Sequence, residues 1–195
     1  GLDEAGIPLE DDDLTEQLLL LLFAGYETTA SSLSCLFRAL LLNPEVENWL
    51  QDGLTVDTRS PRLDATVLEV MRLTPPVGGF FRRTLAPINL AGAAIPEGSV
   101  VQVVLSPTIS GNDDNLATFL PQRHLDGSFK QTLLPFGGGE RVCLGKALAE
   151  LEIRLMAVGL LSTVNLQLQP DQDLALQLIP SPTPKNGLLV QAAAR

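Results

Sequence analysis

Cysteine, histidine and aromatic side chains are scarce in this sequence. Its 195 residues hold two Cys, one His, one Trp, one Tyr and seven Phe. Cys35 and Cys143 lie far apart in unlike settings, so a stapled secreted scaffold is disfavoured and a reducing, cytoplasmic setting is expected. The only histidine, His124, stands isolated, which leaves no ligand set for a tetrahedral zinc site. Positive charge is also short, with 13 Lys plus Arg against 23 Asp plus Glu and a formal net charge of −10. Such a chain has no basic surface of the size that neutralising nucleic-acid phosphates requires. The longest uninterrupted apolar run, Leu18 to Gly25, is far shorter than the roughly 18 residues needed to cross a bilayer, and no basic-then-apolar leader opens the chain.

Apolar residues are plentiful at 45%, enough for one domain with a real core. The first 16 residues carry seven acids (Asp3, Glu4, Glu10, Asp11, Asp12, Asp13, Glu16) and no base. Residues 1–13 therefore read as an acidic lead-in loop. Opening on Gly1 rather than Met, the chain reads as the back part of something longer.

Asp13 and Glu16 have the spacing of a capping box, which predicts a helix from Leu14 to Leu42, stopped by Asn43-Pro44. At 1.5 Å per residue this helix over residues 14–42 is roughly 43 Å long. Its middle is apolar all round, so it is expected to run through the interior. A shorter helix follows from Pro44 to about Asp52, with Val46, Trp49 and Leu50 on one face, then a loop from Gly53 to Pro61. Arg62 to Leu73 is helical again until Thr74-Pro75-Pro76. Ile88–Leu90, Gly92–Ile95 and Ser99–Leu105 read as one small antiparallel sheet, and Ser106–Thr132 as a meandering surface segment. Helical periodicity returns from Cys143 to about Val164, with Leu148, Leu151, Leu155 and Val158 on one stripe. Leu166–Leu168, Leu174–Ile179 and Leu188–Val190 read as short strands around a proline-rich bend. The fold class is mainly helical with minor sheets.

The most informative stretch is Phe136-Gly137-Gly138-Gly139-Glu140-Arg141-Val142-Cys143-Leu144-Gly145. Three glycines permit backbone conformations that a Cβ forbids. The cysteine stands at the mouth of a helix, where free N–H groups and Arg141 favour thiolate over thiol. A single sulfur ligand holds a metal only where a cofactor supplies the other ligands. A surface turn with an incidental cysteine would be the bland alternative for a bare glycine run.

This stretch resembles the cysteine-ligand signature of the cytochrome P-450 haem-thiolate monooxygenases, matching it at every fixed position. The resemblance implies haem bound through Cys143 as axial iron ligand, with Arg141 pairing with a propionate and Phe136, Gly137 and Gly145 beside the sulfur. Ala24-Gly25-Tyr26-Glu27-Thr28-Thr29 is similar to the family's oxygen-activation motif, where an acid and an alcohol interrupt the helical hydrogen bonding. That implies cofactor contact at Ala24, oxygen stabilisation by Thr28 and a proton relay through Glu27. Taken alone, the threonines could simply bond back to the preceding turn. Glu69-Val70-Met71-Arg72 is similar to the family's Glu-x-x-Arg, and Phe119 to His124 to the segment that brings Arg123 onto the same glutamate. These three residues are implied to buttress the cysteine loop. Pro75 to Arg82 fits as well, with Arg82 a second propionate partner and Val77 and Gly78 edging a substrate space that Pro180 and Ser181 line from the terminal strands. The Pro-Pro-Val-Gly-Gly run and the Ser-Pro-x-Pro-Lys ending look most like the cyanobacterial and retinoid-oxidising branch.

The resemblance covers Leu14 to Val190, and residues 136–164 form its cysteine loop and following helix. It makes the chain a single partial domain, the C-terminal half of the family's fold. It implies oxygen activation at a cysteine-ligated iron and hydroxylation of a hydrophobic small molecule. Electrons would come from NAD(P)H through a ferredoxin or flavoprotein reductase. The family's chain is about twice as long, so a haem-binding remnant, or a fragment without coupled activity until its front half is supplied, is carried as the alternative. The resemblance leaves room for a membrane anchor on a preceding segment.

Overall fold

The computed structural model describes residues 1–2, 4–54, 60–105 and 116–195. Parts of the predicted Gly53–Pro61 loop and Ser106–Thr132 segment thus lie outside the described residues. Four α-helices carry the described fold: α1 (Asp11–Leu42), α2 (Pro44–Gln51), α3 (Pro61–Leu73) and α4 (Lys146–Thr163). The class and helix order match the sequence reading.

Helix α1 starts three residues earlier than its pattern predicts. Glu10 is the N-cap and makes no side-chain cap bond, so the predicted Asp13–Glu16 capping box does not form. Instead Asp11, Asp12 and Asp13 occupy the first turn, where carboxylates complement the unpaired N–H groups and the helix dipole. The lead-in folds back on itself, with Leu9 N–H donating to Gly1 O (3.1 Å).

The interior position expected for α1 holds for one half only. Ser31, Ser32, Cys35, Leu36, Phe37 and Leu40 are buried, whereas Leu18 to Leu22, Phe23 and Tyr26 are exposed. The buried half packs against α3, α4 and the last strands. Leu36, Leu40, Leu50, Leu63 and Ile153 form the centre of one core, each almost wholly removed from water. Full burial of such a side chain contributes about 1.5–3 kcal/mol. Cys35 belongs to this core: its thiol donates to Pro182 O at 3.2 Å, and burial pushes its pKa up against the partial offset of Thr74, Arg38 and Ser31.

Helix α2 buries Val46 and Leu50 as its pattern predicts. Trp49 lies under the Arg62 guanidinium at 5.1 Å, and Arg62 Nη1 also donates to the Trp49 carbonyl. Ser60 caps α3 by accepting from Leu63 N–H. The α4 stripe is corrected. Leu148, Leu151 and Leu155 are exposed, and the buried face is Ile153, Ala157, Val158 and Leu161. Every side of α4 is rich in apolar residues, so periodicity alone cannot choose the face that meets the core.

The strands divide differently from the single sheet expected. β1 (Gly79–Arg83), absent from the sequence reading, precedes β2 (Ile88–Leu90), β3 (Ala93–Ile95) and β4 (Val100–Val104). β2 and β3 form a hairpin, with Ile88 opposite Ile95. β4 pairs antiparallel with β1 instead, setting Arg82 opposite Val101 and Gly79 opposite Val104. At the other end β5 (Val164–Leu168) pairs with β8 (Val190–Ala194), and β6 (Leu176–Gln177) with β7 (Thr183–Pro184). Ser31 Oγ donates to Pro182 O at 2.6 Å and Arg38 Nε to Leu174 O at 2.7 Å, which pins this terminal region to α1.

Candidate functional site

The cysteine loop is shaped by its own backbone. Gly137 and Gly139 have φ of +71° and +68°, values that side-chain-bearing residues rarely adopt. Between them and α4 the chain makes a single 3₁₀ turn, Gly139–Arg141, closed by Val142 N–H donating to Gly139 O (3.2 Å). Cys143 N–H donates to Phe136 O (2.9 Å), which ties the two ends of the loop together. Phe136 packs against the main core. Cys143 precedes the helix rather than opening it: Gly145 is the N-cap, and the Cys143 carbonyl accepts from Lys146 N–H (3.3 Å).

The Cys143 thiol is exposed and unpaired by any disulfide. Among the described residues no group of His, Cys, Asp and Glu could hold a metal ion by itself. A Cβ added at Gly145 would meet only the Cys143 Sγ, at 4.0 Å, so the chain's own packing leaves that space beside the sulfur open. Leu144 is 92% exposed, and Val142 and Leu148 are exposed beside it.

Three cations belong to the loop, to the helix it enters and to strand β1, although the chain is acidic overall. Arg82 on β1 lies over the Phe80 ring at 4.3 Å and donates to Phe81 O (2.8 Å). A Cβ at Gly137 would touch that same Phe80 ring at 4.0 Å, so Phe80 joins β1 to the cysteine loop. Lys146 Nζ stands 5.8 Å from the Phe136 ring. Arg141 is exposed. Phe80 falls inside the Pro75 to Arg82 stretch with no role given to it there, and Lys146 follows the last position of the cysteine motif.

A second cluster lies beside the segment that leads into the loop. Glu69 is 0% exposed and holds Arg72 in a bidentate pair (Nε–Oε2 2.7 Å, Nη2–Oε1 2.9 Å). Arg123 Nε lies 3.2 Å from Oε1, and Leu120 N–H donates to it (3.0 Å). His124 Nε2 reaches Oε2 at 2.7 Å, and because a carboxylate only accepts, that nitrogen carries a proton. The sequence reading left His124 isolated; the structure makes it a fourth member of the cluster. Burial would raise the Glu69 pKa, but the hydrogen bonds from Arg72, His124 and Leu120 N–H, with the Arg72 charge, outweigh it and hold the carboxyl at about 2. Arg72 also stacks on Phe129 at 5.7 Å and, with Met71, Pro75 and Leu133 to Pro135, lines a cavity of about 20 Å³. The cluster therefore reaches the residues that lead directly into Phe136.

The other expected site residues are more dispersed. Thr28 and Glu27 are half-buried on α1, and Ala24 is exposed. The helix is continuous through this motif, and Thr28 Oγ1 donates to Ala24 O at 2.9 Å. The hydroxyl thus takes the carbonyl one turn back, as a threonine on a helix does. Val77 and Gly78 are exposed just before β1, and Pro180 is exposed while Ser181 is buried.

The sequence model of the family described as cytochrome P-450 matches residues 2–191. The chain belongs to the cytochrome P-450 family. Cytochrome P-450 120 of Synechocystis is 38% identical over 207 residues, which cover 97% of this chain and 47% of that protein. Human cytochrome P-450 26B1 is 33% identical, covering 96% of this chain and 42% of its own. The structure of retinoic acid bound cyanobacterial CYP120A1 superposes with a TM-score of 0.88 at 33% identity, over 100% of this chain and 49% of that one. These names agree with the branch that the sequence resembles. The chain spans about half the length of the curated P-450 relatives it matches.

Proposed function

We propose that this chain carries the haem-thiolate site of a P-450 monooxygenase. The observation that carries the reading is the exposed Cys143 thiol, set on a loop whose shape depends on two positive-φ glycines within this family's fold. Haem, when bound, would supply the other iron ligands and a redox centre suited to cleaving an O–O bond opposite a thiolate. Among the chain's own residues, Cys143 would hold the iron, and Arg82 and Arg141 would hold the carboxylates of the macrocycle. Phe136, Gly137 and Gly145 would border the sulfur.

The same reading gives α1 a part in proton handling. The Thr28 Oγ1 proton is engaged by Ala24 O, so the hydroxyl accepts a hydrogen bond freely and donates only once that back-bond opens. Glu27, one residue earlier, would supply the proton, and Val77, Gly78, Pro180 and Ser181 would border a hydrophobic small-molecule substrate. A ferredoxin or flavoprotein reductase would deliver electrons drawn from NAD(P)H. Glu69, Arg72, Arg123 and His124 hold the loop in place and touch no reacting atom.

Reduced chain reconstituted with haem should give the carbon monoxide difference band of a thiolate-ligated iron; a band typical of histidine or water ligation would defeat the assignment. A second reading, haem binding without coupled oxygen insertion, is favoured by the exposure of Leu144, Leu148 and the first half of α1. Substrate-dependent, tightly coupled NAD(P)H use by this chain with a reductase would remove it.

A further inference from the structure

The asparagines among the described residues differ in what holds them. Asn43 Nδ2 donates to Ala39 O at 2.7 Å, and the next residue, Pro44, has no backbone N–H. Asn48 lies inside helix α2. Asn89 Oδ1 accepts from Gly92 N–H (3.1 Å), and the following Leu90 is paired with Ala93 across the hairpin. Asn165 and the following Leu166 are both paired in the β5–β8 ladder. Asn186 has none of these restraints. It is exposed between exposed Lys185 and Gly187, and among the described residues no hydrogen bond holds its side-chain amide.

The turn that carries Asn186 is anchored at both ends and lightly closed between them. Lys185 N–H donates to Ala175 O (3.0 Å). Leu189 N–H donates to Gln172 Oε1 (3.0 Å), and its carbonyl accepts from Gln169 N–H (3.1 Å) and Gln172 Nε2 (2.8 Å). Between these anchors Gly187 N–H donates to Pro184 O (3.0 Å) and closes the turn. Opening that single exposed bond frees the Asn186–Gly187 peptide while both anchors stay in place, which is the local kind of opening that surface turns undergo. Gly187 has φ of +80°, and a Cβ built on it would meet nothing within 4 Å. Neither a side chain of its own nor a neighbour therefore shields its peptide nitrogen.

We propose that Asn186–Gly187 is a site of spontaneous covalent modification by water, in which the asparagine amide becomes aspartate or isoaspartate. Hydroxide removes the proton from the Gly187 peptide nitrogen, which then attacks Asn186 Cγ. The new N–Cγ bond closes an imide ring, the Cγ–Nδ2 bond breaks, and the nitrogen that leaves takes a proton from water and departs as ammonia. One water molecule then opens the ring. Breaking the bond from the ring nitrogen to Cγ restores the ordinary backbone with an aspartate. Breaking the bond from that nitrogen to the Asn186 main-chain carbonyl carbon sends the backbone through Cγ as isoaspartate. No electrons are transferred. Either product adds one negative charge to a chain of net charge −10, and isoaspartate also lengthens the turn between its two anchors. An isoaspartyl carboxylate is open to methylation, so the class of enzyme that would act on the modified chain is a carboxyl methyltransferase with a sulfonium methyl donor. Nothing in this chemistry involves Cys143 or a bound cofactor.

The test incubates the full chain at mildly alkaline pH and follows its asparagine-containing peptides by mass spectrometry after proteolysis, with enzymatic methylation of isoaspartyl groups as a second readout. The peptide holding Asn186 should gain the mass of an amide-to-acid change at least tenfold faster than those holding Asn43, Asn48, Asn89 or Asn165, and it should accept methyl groups. Its rate should rise with pH, because the attacking nitrogen must first lose a proton. Asn186→Gln, which would have to close a larger ring, should lower methyl acceptance by that peptide at least tenfold and leave the far-ultraviolet helical signal unchanged, since the side chain is exposed. The proposal is overturned by equal rates at Asn186 and the restrained asparagines, by a mass gain at Asn186 without methyl acceptance, or by methyl acceptance in that peptide that survives Asn186→Gln.

Discussion

The Glu69 cluster and the Cys143 loop are joined by one short stretch of chain, yet they differ in almost every physical respect. Around Glu69 each carboxylate oxygen is held by at least two donors and no part of the side chain meets water. Around Cys143 the thiol faces outward, beside an open space at Gly145 and a nearly bare Leu144. The chain completes its scaffold internally and leaves the cysteine side chain without a protein partner of that kind among the described residues. A buried carboxylate cannot wait for a partner, because without donors its charge would cost several kcal/mol. An exposed thiol has no such requirement, since water satisfies it.

Cys143→Ala sharpens this contrast most. It should abolish the thiolate-type carbon monoxide band altogether while changing the stability of the chain by no more than about 0.5 kcal/mol, as an exposed substitution does. Difference spectroscopy and a thermal melt on the same preparation check both halves. A melt that drops by many degrees would break the comparison, since the loop would then belong to the scaffold.

Glu69→Gln is the converse. It leaves the Arg72 and Arg123 guanidiniums facing a neutral amide in a buried site, and urea unfolding should register a loss of about 3–5 kcal/mol. The pH dependence provides its signature. The Glu69 carboxyl sits at about 2, against an ordinary value of 4.5. A lowered native pKa adds stability that is complete above the ordinary value and is lost as pH falls from there through about 2. At 1.36 kcal/mol per unit the contribution is about 3 kcal/mol. Stability of the parent chain should fall across that window, and the Glu69→Gln variant should lose this part of the fall.

What was legible in the sequence follows the same division. Glu69, Arg72 and Arg123 come together as the family resemblance implies, and the Phe136 to Gly145 loop has the glycine-dependent shape that its composition suggests. His124 was missed because a lone histidine carries no spacing signal; only the fold brings it onto a carboxylate fixed 55 residues earlier. β1 was missed because Gly78-Gly79 reads as turn chemistry, although pairing with β4 makes it a strand. Thr28 was legible in both directions, and its bond to Ala24 O fits either. The faces of α1 and α4 were not legible, because a helix apolar on every side gives no period from which to read its buried side. In α1 only the second half found protein to pack against.

That ambiguity sets the smallest of the expected effects. Leu148 and Ile153 are both large aliphatic residues on α4, one exposed and the other 1% exposed. Ile153→Ala should cost about 2–5 kcal/mol by removing atoms from a packed core. Leu148→Ala should change stability by less than about 0.5 kcal/mol, because its side chain leaves no cavity and alanine favours the helix. Urea melts of the two variants side by side give the difference.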